Sequence, residues 1–193
     1  MSEVKRPLEG VKVVELATFI AAPCCARFLA DLGAEVIKVE APAGDPLRYT
    51  AVNAGRPQDQ KENTSYDLEN AGKTCVCLNT KTPAGREALE KLIAEADIFI
   101  TNWRQNPLKK AGLDYDTLHA KYPKLVYGFV SGYGEKGPDK DLPGFDFTAF
   151  FARGGILGTL FDKDALPMLT IAGFGDHQVG MYLASGVLAA LYR

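Results

Sequence analysis

The carboxylate of Asp176 is the side chain best placed to do chemistry, in the stretch Gly173-Phe-Gly-Asp-His-Gln178. Flanking glycine lets the backbone turn sharply and leaves the carboxylate uncrowded. The apolar segment that follows, to Arg193, carries small residues at Gly180, Ala184 and Gly186, which admit close packing. Two roles are open to such an acid: capping the amino end of the helix, or serving as a reactive carboxylate at a pocket. A second acid, Asp146, stands among the aromatics of Pro143–Ala152. Desolvation destabilises charge there, which makes it a site candidate. A third group, Asn102-Trp103-Arg104, combines an amide, the chain's only tryptophan and a cation. A planar ring beside cations suits a nucleotide base, although a tryptophan also covers a core. Arg48, in Gly44-Asp-Pro-Leu-Arg48, is a turn cation that could meet an anion or lie on the surface.

The elements that must position these groups follow from periodicity and caps. Val11–Leu16 reads as a strand, Ala21–Leu32 as a helix closed by Gly33, and Glu35–Glu40 as a second strand, together a βαβ unit. The first turn, Ala17-Thr-Phe-Ile-Ala-Ala-Pro23, lacks the glycines of a dinucleotide fingerprint, so an NAD site is rejected and Glu40 is expected to be a solvated strand end. Residues Ala41–Gly72 show no regular pattern; a stretch of that length is expected to be functional or to cover a site. Strands follow at Thr74–Leu78, Asp97–Thr101 and Leu125–Val130. Helices follow at Pro83–Ala96, started by Thr82 and Pro83, at Pro107–Ala111 and at Asp114–Tyr122. The expected fold is α/β, a Rossmann-like open parallel sheet flanked by helices. Asn102–Arg104 and the turn Ser131–Pro138 then lie at the carboxyl ends of strands, where such sheets bind ligands.

Bulk properties narrow the function. The chain has 193 residues, 47% hydrophobic and 24% charged, with a formal net charge of -2. Nothing points to nucleic acid or an anionic membrane. No apolar run reaches the ~18 residues of a membrane span, and Met1–Gly10 holds no apolar core of a secretory signal. Four cysteines fall as Cys24-Cys25 and Cys75-x-Cys77, neither a zinc spacing, and the two histidines, His119 and His177, are not expected to join them as ligands. All four cysteines are expected to be small buried hydrophobes in a reducing cytoplasm, with no metal site. The pattern of the last helix runs to Leu191-Tyr-Arg193 without a cap, so the chain is expected to be part of a longer protein or to need partner residues.

With these pieces assembled, the sequence resembles the family III CoA-transferases, the group that contains formyl-CoA transferase, carnitine CoA-transferase and the α-methylacyl-CoA racemases. The motifs are Pro7-Leu-Glu-Gly-Val-Lys-Val-Val-Glu-Leu16, Asp31-Leu-Gly-Ala-Glu-Val-Ile-Lys-Val-Glu40, Gly44-Asp-Pro-Leu-Arg48, Leu78-Asn-Thr-Lys-Thr-Pro83, Gly132-Tyr-Gly-Glu-Lys-Gly-Pro138 and Gly175-Asp176. Tyr66-Asp-Leu-Glu-Asn70, Asp139–Gly155 and Gly175–Met181 look most like the branch that acts on 2-hydroxy acids in amino-acid fermentation.

The resemblance implies that residues 1–193 form the N-terminal part of a large CoA-binding domain. A smaller domain and a C-terminal return would lie outside the chain, and the whole would be an interlocked homodimer. It implies a covalent role for Asp176, with its carboxylate kept ionised by the helix end and backbone N–H groups of its turn serving as oxyanion donors. It also implies an accessory role for Asp146. CoA contacts fall on Phe19, Ile20, Leu78, Asn79, Thr80, Lys81, Asn102, Trp103, Arg104 and Lys110, and a substrate pocket on Tyr133, Gly144 and Phe145. Acyl-CoA enters as a substrate, and no cofactor is held permanently. The racemases carry a histidine base where this chain has Phe145, so racemisation is disfavoured.

Overall fold

A buried ion cluster ties the strands together. Glu15 and Lys38 are cross-strand partners in a parallel ladder, and the Lys38 ammonium donates to Glu15 at 2.7 Å. Lys38 also pairs with Asp45 at 2.9 Å, and Lys73 donates to the other oxygen of Glu15 at 2.6 Å. Two acids and two bases cancel, and none of the four side chains reaches solvent. Burial works against the charge of Lys38, but Glu15 and Asp45 outweigh it and raise its pKa. Burial lowers that of Lys73, against the pull of Glu15.

The computed structural model describes residues 5–59, 62–168 and 171–193. The strands are β1 (Lys12–Leu16), β2 (Glu35–Glu40), β3 (Thr74–Cys77), β4 (Ile98–Thr101) and β5 (Val126–Phe129). They form one parallel sheet in the order β3-β2-β1-β4-β5. The helices are α1 (Ala21–Asp31), α2 (Thr64–Asn70), α3 (Pro83–Ala94), α4 (Gln105–Ala111), α5 (Tyr115–Lys121) and α6 (Phe174–Tyr192). One core cluster packs α1 and α6 on the sheet; a second gathers Leu89, Ile93, Phe99 and Leu118 on the other face. The expected α/β sheet is therefore present. Its strand order reverses between β1 and β4, which opens a crevice at their carboxyl ends. No helix among the described residues is long and apolar enough to cross a membrane.

Local chemistry sets the elements. Thr82 accepts the Gly85 N–H ahead of Pro83, which starts α3. Gly33 takes φ +106° after α1. Gly180 lets α6 lie directly on α1, because an added Cβ would stand 2.6 Å from the Ala21 carbonyl oxygen. Ala184 is buried in the same contact, whereas Gly186 faces open space.

Several expectations change. Ala41–Gly72 is not structureless: it forms 3-10 turns at Pro46–Tyr49 and Ala51–Ala54, then α2. Positions 60 and 61 of that stretch, and the part of Met1–Gly10 before Lys5, lie outside the described residues. Cys75 and Cys77 are exposed, because β3 is an edge strand, while Cys24 and Cys25 are buried as expected. Glu40 is not a solvated strand end. Arg48 donates to both its oxygens at 2.8 Å, the Asp45 N–H donates at 2.9 Å, and the Tyr66 hydroxyl adds a short bond. Burial opposes its charge, but Arg48, Tyr66 and Asp45 prevail and hold it at about 2. Arg48, stacked 3.7 Å over the Tyr66 ring, is thus a structural cation rather than a free anion receptor.

Because the folded pKa of Glu40 is depressed, its contribution is full above its ordinary 4.5 and is lost as pH falls toward about 2. Lys38→Met leaves Asp45 buried without its cation; denaturant unfolding should show a loss of about 3–5 kcal/mol, and a loss under about 1 kcal/mol would contradict this reading of the cluster.

Candidate active site at the amino end of helix α6

The loop after β1, Thr18-Phe-Ile20, is where the site converges. The Asn102 amide, beyond β4, accepts the Thr18 N–H at 3.0 Å and donates to the Thr18 carbonyl at 2.7 Å. This clamps the two sides of the crevice. Phe19 sits at φ +62°, a conformation unusual for a residue with a side chain. Asp45 holds it there by accepting its N–H at 3.1 Å, and also accepts the Leu47 N–H at 2.9 Å. The buried ion cluster therefore reaches the site through Asp45. The Phe19 ring meets Phe145 edge-on at 5.8 Å, and Ile20 lies against Gly173.

Asp146 and the Asp176 turn meet directly. Asp146 opens a π-helical segment, Asp146–Arg153, and is buried. Its carboxylate accepts the Gly173 N–H at 2.7 Å and the Gly175 N–H at 2.8 Å. It supplies from another element the cap that α6 lacks at its own N-cap residue, since Gly173 makes no side-chain cap. Asp176 is thus not the cap; it lies in the first turn of α6. Both glycines are required. Gly173 adopts φ +84°, and a Cβ on Gly175 would stand 2.3 Å from the Phe150 ring and 2.5 Å from Asp146.

This arrangement revises the electrostatics expected of the helix end. Gly173 and Gly175 spend their N–H groups on Asp146, so neither is a free oxyanion donor. Burial, then the adjacent charge of Asp146, push the Asp176 carboxyl up to about 6, against the opposing influence of His177 and with a further push from Glu69. The carboxylate remains mostly ionised at neutral pH, but it is more basic than an exposed aspartate.

Three side chains missed in the sequence reading surround it. The His177 ring has one nitrogen 2.6 Å from the Gly173 carbonyl and the other 2.9 Å from Glu69. Cys24, from α1, contacts the His177 carbonyl through its thiol. Cys24, Glu69 and His177 bring ligand atoms within 4.8 Å of one another, contrary to the expectation that histidine and cysteine stay apart. The close crossing of α1 and α6 at Gly180 produces this cluster. Both ring nitrogens are engaged, and burial, then Glu69, pushes the Cys24 thiol up to about 11. The group is built as a hydrogen-bonded network more than as a metal cradle.

The remaining expected residues line two regions. Leu78, Asn79, Thr80 and Lys81 follow β3, and Asn79 accepts the Lys81 N–H at 3.2 Å. Thr80 nevertheless meets Trp103 in a cavity of about 230 Å³, shared with Arg86, Leu113, Lys121 and Tyr122. Arg104 precedes α4 and Lys110 lies in its last turn, both exposed. The backbones of Gly132 and Gly144 cross so closely that a Cβ on Gly144 would stand 2.3 Å from Gly132, which sets the turns that carry Tyr133 and Phe145 side by side. Arg153 lies over the Tyr133 ring at 5.7 Å.

An open parallel sheet with a half-buried carboxylate at a helix end beside its crevice defines an α/β domain with a candidate active site at the carboxyl ends of its strands. Residues 8–193 match the model for CoA-transferase family III, and the chain belongs to that family. It is 63% identical over 184 residues to the cinnamoyl-CoA:phenyllactate CoA-transferase of Clostridium sporogenes, covering 95% of this chain and 45% of that protein. It is 53% identical over 186 residues to the (R)-2-hydroxy-4-methylpentanoate CoA-transferase of Clostridioides difficile, covering 96% and 47%. A crystal structure of a CAIB/BAIF family protein from Brucella suis superposes with a TM-score of 0.89 at 36% identity, covering 98% of this chain and 50% of that one. The chain spans about half the length of the relatives it matches.

The Asp146 cap yields a direct test. Asp146→Ala strands two buried N–H groups, and the loss in unfolding free energy should be about 2 kcal/mol or more. A melting temperature equal to that of the unaltered protein would show that the cap contributes nothing.

Proposed function

We propose that this chain carries the nucleophile of a CoA-transferase that moves CoA from an acyl-CoA to a carboxylic acid. The observation that supports it best is the Asp176 carboxylate, half-buried in the first turn of α6 and raised to about 6. A desolvated carboxylate that is still ionised at neutral pH is a stronger nucleophile than a solvated one.

Asp176 attacks the thioester carbonyl, and the C–S bond breaks to give a mixed anhydride and CoA thiolate. The thiolate attacks the aspartyl carbonyl, releasing the first acid and leaving an aspartyl-CoA thioester. The incoming carboxylate displaces the thiolate from that thioester, forming a second anhydride. Thiolate attack on its acyl carbonyl frees Asp176 and delivers the new acyl-CoA. Every step is an acyl transfer, so atoms and charge balance without an external oxidant or reductant.

The two relatives are named for phenyllactate and (R)-2-hydroxy-4-methylpentanoate, which supports a 2-hydroxy acid as acceptor. Phe19, Tyr133, Gly144 and Phe145 would form the acyl wall. Phe145, an exposed ring set against Phe19, offers no base, which leaves racemisation without its second proton carrier. Lys81, Arg104 and Lys110 would meet the CoA phosphates as fixed cations, with Trp103 beside the adenine or pantetheine. Asn102 acts by clamping the Thr18 loop. In the reading proposed here, residues 1–193 are the N-terminal part of the large domain of a cytoplasmic homodimeric enzyme of amino-acid fermentation.

Mass spectrometry after incubation with cinnamoyl-CoA and hydroxylamine should find a hydroxamate at Asp176 and none in Asp176→Asn. An unmodified Asp176 in protein that releases free CoA would sink the covalent mechanism. Release of CoA in the first transfer should fall about tenfold per pH unit below about 6, because only the ionised carboxylate attacks.

A further inference from the structure

Directly behind Asp176, His177 and Glu69 form a contact that the acyl transfers above do not use. Glu69 comes from α2 and His177 from α6, 108 residues apart. The Glu69 side chain is 3% exposed, and that of His177 is 38% exposed. Donor and acceptor roles are fixed by elimination. The Gly173 carbonyl can only accept, so Nδ1 must carry a proton. Between Nε2 and Glu69 a second proton must lie, on the ring or on the carboxyl. The pair therefore holds one shared proton beyond the neutral imidazole and carboxylate.

We propose that Glu69 and His177 are positioning residues for Asp176: Glu69 fixes the imidazole, and the imidazole holds the first turn of α6 through Gly173 while setting the charge beside the nucleophile. This rests on the reading of Asp176 as the nucleophile. Gly173 is the link. Its N–H is held by Asp146 and its carbonyl by His177, so the peptide entering the Asp176 turn is gripped from both sides.

The charged and titratable groups around the pair come from every packed element. Asp146 faces Asp176 from the π-helical segment and Cys24 faces it from α1. Lys73 and Arg27 face Glu69. Burial pushes the Glu69 carboxyl up, and His177 draws it back. Among the described groups around Asp176, His177 favours its charge, while Asp146 and Glu69 oppose it. Glu69 itself pushes the Asp176 carboxyl up, but less than His177 draws it down. Without the carboxylate the ring gives up the proton the pair shares, so Asp176 loses the larger favourable influence along with the smaller unfavourable one and still faces Asp146.

Glu69→Gln keeps the shape and the hydrogen bond but removes the carboxylate. Titration of the Asp176 side-chain carbon by NMR, without substrate, should show a midpoint raised by about half a unit. Release of CoA in the first transfer should be about threefold slower at roughly pH 5.5, yet within about twofold of the unaltered protein at pH 8. An unchanged midpoint in a folded Glu69→Gln protein overturns the proposal. If the variant does not fold, the unaltered protein decides: nitrogen NMR should find Nδ1 of His177 protonated throughout, and a bare Nδ1 overturns it. Absence of hydroxamate in the unaltered protein would instead defeat the nucleophile reading, while the carbon titration would still report on the pair.

Discussion

Four buried charges hold the site in register. Glu15 and Lys38 face each other across β1 and β2, and Asp45 and Lys73 complete a set that is neutral overall and closed to solvent. Such clusters bring little net stability over an apolar replacement, but breaking one is costly. Their value here is in what they join. Lys73 also reaches the Pro23 carbonyl of α1, Lys38 reaches the Ala17 carbonyl, and Asp45 reaches the Phe19 N–H. The loop that lines the crevice is thereby fixed to two strands and a helix, at a backbone angle it would not adopt alone.

From that loop the constraint passes to Asp176, the proposed nucleophile. Phe19 sets Phe145 by ring contact, and the next residue, Asp146, grips the amino end of α6. Helix α6 in turn lies on α1 through Gly180, which starts from the same loop. The circuit from β1 through Asp146 to α6 and back to α1 is closed. A shift in any member moves Asp176, which explains why polar anchors recur along it where apolar packing would suffice for the fold alone.

Much of the architecture was legible in the sequence, and its gaps have physical causes. Strands β1 to β5 and helices α1 and α3 carry periodicity and local caps, such as Thr82-Pro83 and Gly33, which need no distant partner. Asp176 reads from the sequence as either cap or reactive group. The deciding fact, that Asp146 takes the cap from 27 residues away, is a tertiary contact that no local pattern encodes. Glu40 and Arg48 looked like surface charges because their partners, the Asp45 N–H ahead of a 3-10 turn and Tyr66 in the short helix α2, lie in a segment without a readable period. Lys73 and the pair of Glu69 with His177 left no periodic trace. One signal was available and unused: a lone acid in β1 and a lone lysine in β2, which parallel register places side by side.

The Asp146 cap and the basicity of Asp176 are one design seen from two sides. A helix amino end offers N–H groups and a favourable dipole to a single anion. Asp146 takes both accessible glycine N–H groups, which stabilises the helix, and leaves Asp176 desolvated beside a like charge. Had Asp176 been the cap, those bonds would have lowered its pKa and tied its oxygens to the backbone, making it a poorer nucleophile. The glycines at 173 and 175 make the division possible, since a side chain at 175 would strike Asp146 and Phe150. A two-acid helix end of this kind separates the capping role from the one proposed for Asp176, and leaves the second acid's oxygens free of the backbone.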